Sequence, residues 1–293
     1  MSSAIGAVVL ALSAKHAHNW PAISLSIVKN IPAENYIVAV PARDLPSLLS
    51  MTPSSFELLS EDEILPGLHE KIRTRLGPSL QHRSGWYFQQ FIKLELIRRY
   101  SAHPNILIWD SDTMPLKRLQ FFGSNSRAKI YSSSENHQAY FGQVYRLTGL
   151  NKQVNFSFIA QHLVLKGRWI QEFFQFISKE LNDPSQWFEP VLDSVDFAEK
   201  SGLSEYELLG TWISAHYPDE YFVSKKKWSR RGSTTIGSAR LAGNPIVKFF
   251  LSQKYDFIAF ENWGNPPKRL ARWSAKWAKK KSPGSQISPT AGA

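Results

Sequence analysis

The chain has 293 residues, 43 % of them hydrophobic and 13 % aromatic, with no cysteine and a formal charge of +11. That length bounds it to one large α/β domain or one and a half ordinary ones, and the missing cysteines exclude disulfides, thiolate metal sites and cysteine nucleophiles. The basic balance favours a phosphate-rich partner: nucleic acid, an anionic membrane surface or a nucleotide-type substrate.

In chain order, AVVLALS (7–13) reads as a strand. No Lys or Arg precedes it, so a core strand is expected rather than a leader. NWPAISLSIVKNI (19–31) reads as a helix with Pro21 near its start, NYIVAVP (35–41) as a second strand, and FELLSEDEIL (56–65) as a third that runs into an acidic turn. Strand, helix, strand with short connections predicts βαβ units and a mainly parallel sheet. GWYFQQFIKLELIRRY (85–100) is a helix apolar around most of its surface, hence deeply buried. Further strands are expected at KIYSSSE (129–135) and within FSFIAQHLVLKG (156–167), and helices at 169–181 and 203–218. In the last of these, Ser204 and Glu207 form a capping-box pattern and Pro218 closes the far end. No apolar run approaches the roughly 20 residues of a membrane span, so a cytoplasmic chain is expected.

The most informative stretch is NILIWDSDTMPL (105–116), where a buried strand ends in two acids two positions apart. Like charges that close raise each other's cost of ionisation unless a cation lies between them. In extended backbone, residues i and i+2 point the same way, so Asp110 and Asp112 present two hard oxygen ligands with Ser111 turned aside. Mn²⁺ or Mg²⁺ suits such a pair, and Mg²⁺ commonly joins one or two carboxylates to substrate phosphates.

The apolar strand followed by Asp-x-Asp resembles the DxD motif of GT-A-type, nucleotide-sugar-dependent glycosyltransferases. GWYFQQFIKL upstream, and SFIAQHLVL and LSEYELLG downstream, are similar to segments of a bacterial branch of such enzymes. The resemblance covers residues 85–210. It implies a GT-A-like α/β fold with a mainly parallel (mixed) sheet flanked by helices and a Rossmann-like N-terminal half. One domain over 1–281 is expected, divided into a nucleotide-binding half (1–115), an acceptor half (116–224) and a basic C-terminal segment (225–281), followed by a disordered tail (282–293). The activity it implies is metal-dependent transfer of a sugar from a nucleotide-sugar donor to a glycan or lipid-linked acceptor. Asp112 would be the main metal ligand, and Asp110 would reach the metal through water or hold the ribose.

Around that motif stand further candidates, each with a structural alternative. His162 is a third metal ligand or a hydrogen-bonded core histidine, and His216 a ligand or a partner of a helix C-terminus. Glu205 is an acceptor base or a first-turn acid, while Glu207 is expected to cap its helix. Lys93, Arg83 and Gln90 are candidates for binding the donor: Lys93, beside Gln89 and Gln90, offers a point charge to a diphosphate or is an exposed helix lysine, and Arg83 on the preceding loop has the same two readings. The segments 225–231 and 268–281 hold 12 of the 35 Lys and Arg and none of the 24 Asp and Glu. The second places Trp273 and Trp277 on one helical face, as a peripheral membrane-surface helix would. The rest of the chain is close to neutral, so nucleic acid is not an expected partner. DSDT also matches the opening motif of haloacid-dehalogenase-like phosphatases, in which Asp110 would be the nucleophile. A basic, non-enzymatic nucleic-acid or membrane-surface binder is the remaining alternative.

Overall fold

The computed structural model describes residues 4–13, 17–224 and 227–261. Its strands in chain order are β1 (Ile5–Ala11), β2 (Ala33–Val40), β3 (Phe56–Ser60), β4 (Asn105–Trp109), β5 (Thr113–Pro115), β6 (Ala128–Tyr131), β7 (His162–Lys166), β8 (Tyr221–Ser224), β9 (Trp228–Ser229) and β10 (Phe257–Ala259). The main sheet runs β3-β2-β1-β4-β7. It is parallel except for β7, which lies antiparallel to β4 with Trp109 opposite His162. This is the mainly parallel, mixed sheet that the sequence predicts.

The unbroken apolar runs follow from that architecture. Every residue of β1 and β4 is buried, because a parallel sheet covered by helices has no wet face. Helix Trp20–Asn30 makes the first crossover. Helix Ser84–Arg99 delivers the chain into β4 and buries Phe88, Phe91, Ile92, Leu94, Leu96 and Ile97 together with two charged residues, Lys93 and Glu95. Glu95 is held by Arg98, Arg99 and Trp187. Lys93 belongs to the site.

Some expected elements are shorter. The strand begun at Phe56 stops at Ser60, because the acids 61–63 open a helical turn. Of 156–167 only His162–Lys166 is regular strand; before it, Gln161 takes a left-handed backbone (φ +68°) that breaks the ladder. The helices expected at 169–181 and 203–218 span Gly167–Ser178 and Glu205–His216. Helices Leu68–Arg75, Gln138–Thr148, Phe188–Ser194 and Pro245–Lys254 are further elements that no strong apolar stripe announces. Two small sheets, β5-β10-β9 and β6-β8, flank the main one. The segment 268–281 and the tail 282–293 lie outside the described residues. Among those described, no helix is long and apolar enough to cross a membrane.

Candidate functional site

Strand order decides where the site falls. From β1 the chain moves outward to β2 and β3, then returns so that β4 lies on the other side of β1. The crevice at the carboxyl ends of two such strands is where open α/β sheets bind ligands. Asp110, Ser111 and Asp112 leave β4 at that point. Ser111 turns its hydroxyl to the Ala11 carbonyl at the end of β1 (2.7 Å). The Asp110 amide donates to the Gln161 carbonyl (2.9 Å), and the Phe260 amide donates to the Asp112 carbonyl (2.8 Å). The turn is therefore fastened on three sides.

Asp110 sits in a charged knot. Its Oδ1 accepts from the Lys93 ammonium (2.5 Å) and from the Tyr206 hydroxyl (2.8 Å). Lys93 also donates to Glu205 Oε1 (2.7 Å), and Glu205 is 1 % exposed. Burial works against the ammonium, but the two carboxylates more than offset it and hold Lys93 above the ordinary lysine range. Burial raises Glu205, against the pull of Lys93. Burial and the nearby carboxylates push Tyr206 well up, so its hydroxyl remains a donor.

Two sequence features place Glu205 and Tyr206. Ser204 caps their helix by accepting from the Glu207 amide (3.3 Å). Gly210, one turn on, lets the helix press against the Phe158 ring, where a Cβ would lie 2.1 Å from the ring.

Asp112 has fewer partners. Its Oδ1 accepts from the Thr113 hydroxyl (3.2 Å). Burial and then Asp110 push its carboxyl up to about 7, with Thr113, Lys93 and Arg230 pulling the other way. Beside it, burial raises Glu261 to about 6. Glu261 accepts from Gln161 (3.0 Å) and Arg230 (2.7 Å), and Arg230 also pairs with Glu135. Gln161, Tyr206, Arg230 and Glu261 are site residues that sequence reasoning missed. They stand up to about 150 residues from the motif; Gln161 and Tyr206 fall within the segments SFIAQHLVL and LSEYELLG that carry the resemblance, whereas Arg230 and Glu261 lie in no such segment. Next to Glu135 opens a groove of about 380 Å³, lined by amides (Asn136, Gln138, Asn155) and rings (Phe141, Phe156).

Other predicted residues are placed elsewhere. His162 is buried among Trp109, Phe121, Tyr131 and Phe257, with both ring nitrogens lacking a hydrogen-bond partner among the described residues. Burial lowers it to about 3, so it is neutral. Among the described residues no three His, Asp or Glu side chains gather in reach of one metal ion; the structure therefore does not bring His162 to the two aspartates as a third ligand.

Arg83 donates to the Lys200 carbonyl and the Ser201 hydroxyl, both at 3.0 Å, and stacks on Trp86. It stands at the N-cap of helix Ser84–Arg99, ten residues before Lys93 and about 15 Å from it along the axis. Gln90 bonds the Trp86 carbonyl (3.2 Å). Glu207 does not close the box back onto Ser204; its carboxylate accepts from the Phe158 amide (3.1 Å) and from Lys152 (3.0 Å). His216 stacks on Trp212 (3.8 Å) at its helix end.

No protein-family model matches the chain, and no curated protein matches its sequence. Similar solved structures include WbbM, a bifunctional glycosyltransferase (TM-score 0.44, 15 % identity, 91 % of this chain and 47 % of that one). Mouse xyloside xylosyltransferase 1 in its apo form is similar at TM-score 0.45 and 13 % identity, over 89 % and 99 % of the two chains. The galactosyltransferase LgtC, solved with donor and acceptor sugar analogs, is similar at TM-score 0.47 and 10 % identity, over 96 % and 98 %. The present chain thus spans about half the length of the first of these.

Proposed function

We propose that this protein transfers a sugar from a nucleoside diphosphate sugar to a glycan or lipid-linked acceptor, with Mn²⁺ or Mg²⁺ held by Asp110 and Asp112. One observation carries the reading. The two acids leave β4 at the reversal point of the sheet, and burial with Asp110 beside it raises the Asp112 carboxyl to about 7 despite Lys93 and Arg230 nearby. Such a carboxyl is short of positive charge. Two carboxylates, with no third protein ligand among the described residues, fit a hard ion that takes its remaining oxygens from water and phosphate. When bound, that ion supplies neutralisation of the diphosphate as it leaves.

The chain's own residues define the rest. Lys93 and Tyr206 occupy one oxygen of Asp110 and fix its rotamer, while its Oδ2 has no hydrogen bond among the described residues. Glu205 lies under Lys93 and is here a positioning residue for the ammonium rather than the acceptor's base. The amide- and ring-lined groove beside Glu135 suits a hydroxyl-rich acceptor, which supports reading 1–115 as the donor half and 116–224 as the acceptor half.

Thermal-shift measurement with UDP and GDP, with and without Mn²⁺, tests the proposal. Stabilisation that requires nucleotide and metal together is expected. Equal melting under all conditions, or phosphate release from a generic phosphoester without nucleotide, overturns it.

A further inference from the structure

Helix Pro245–Lys254 lies on the surface and buries none of its residues fully. Its inner side touches the body through Leu251 and through Lys248, whose ammonium donates to Ser26 Oγ on helix Trp20–Asn30 (3.1 Å). Its outer side is apolar. Ile246, Phe249 and Phe250 are 60–70 % exposed, and at spacing i, i+3, i+4 they share one face. The two rings contact each other at 5.5 Å, and Leu241 of the preceding helical turn is also exposed. Contiguous exposed rings on a soluble surface mark an interaction site.

The charge around this face is one-sided. From Tyr221 to Tyr255 there is no Asp or Glu, while Arg240 and Lys254 fall beside the patch. Residues 221–293 hold 15 of the 35 Lys and Arg and two of the 24 acids, which leaves the first 220 residues close to neutral. The chain beyond Glu261 is itself basic and carries no acid, so it repels this face rather than complementing it. A second copy would bring the same basic face and meet the same repulsion.

We propose that Ile246, Phe249 and Phe250 form a membrane-docking face that inserts into the headgroup layer of an anionic bilayer, with the surrounding lysines and arginines contacting lipid phosphates. An apolar strip flanked by Lys and Arg is the pattern of a helix that lies in the interface plane, and each basic side chain near an anionic leaflet adds attraction that salt screens. The proposal stands independently of glycosyl transfer.

The test is co-sedimentation of the full chain with phosphatidylglycerol/phosphatidylcholine vesicles and with pure phosphatidylcholine vesicles, at low and high salt. Wild type is expected on the anionic vesicles only, more weakly as salt rises. Phe249→Ser with Phe250→Ser should weaken partitioning at least tenfold while leaving the melting temperature unchanged, because both side chains are exposed. Replacing Arg240 and Lys254 by Gln should reduce the preference for anionic over neutral lipid. No binding of wild type, or equal binding of the double Phe variant, overturns the proposal. So does concentration-dependent self-association that the Phe variant abolishes, which would give the face to a second copy.

Discussion

Two neighbouring positions at the end of β4 show opposite solutions to one problem. Trp109 faces a pocket of rings that closes around His162, and burial among them keeps that histidine neutral. One residue on, Asp110 enters a pocket where Lys93, Glu205 and Tyr206 answer every charge with a counter-charge or a donor. Burial alone therefore does not say whether an ionisable group is charged; its neighbours do. The contrast also separates a side chain that serves packing from one poised for chemistry, although both interrupt apolar stretches of sequence.

The comparison breaks most severely if Lys93 is dispensable. Lys93→Met strands Glu205 without a cation, which is expected to cost about 3–5 kcal/mol; urea unfolding at pH 7.5 measures it, and a change below 1 kcal/mol would show that the knot is not held by charge. Asp112→Asn should leave the urea midpoint close to wild type but lower metal-dependent turnover on the order of a hundredfold, the scale for losing one preorganised charge contact. Full activity in that variant refutes the metal-site reading.

On the other side of the strand, His162→Phe should keep activity and metal response, with stability at pH 7.5 changed by less than about 1.5 kcal/mol. The pH dependence has a definite sign. The folded state holds His162 down to about 3 from an ordinary 6.5, so the unfolded chain binds the extra proton and wild type loses stability as pH falls through that window. The Phe variant lacks this loss, so its melting temperature should decline less between pH 6.5 and 4; loss of metal response instead would make His162 a ligand. The smallest effect is expected from Arg83→Ala, which frees the 200–201 backbone and the Trp86 face and costs about 1 kcal/mol or less. A large rise in donor KM would place Arg83 in the site after all.

Much of the scaffold is readable from the chain because parallel strands buried on both faces leave unbroken apolar runs. β1, β2, β4 and the helix before β4 all announce themselves this way. The two acids are legible because charge at the end of such a run is costly without a purpose. What stays hidden depends on distance along the chain. Glu205 looks like a first-turn acid and Glu207 like a capping residue until the fold brings Lys93 beneath one and the Phe158 amide to the other. Gln161, Arg230 and Glu261 converge on Asp112 from three separate segments. His162 is left open by the sequence for a physical reason: imidazole suits both a metal and an aromatic cage, and its sequence neighbours, apolar in either case, do not separate the two.

The residue between the two acids ties the turn to the first strand, through the Ser111 hydroxyl on the Ala11 carbonyl. Removing that bond by Ser111→Ala would leave the turn held by its two main-chain bonds to Gln161 and Phe260, so the spacing of the two acids rests in part on a hydroxyl that itself touches neither of them.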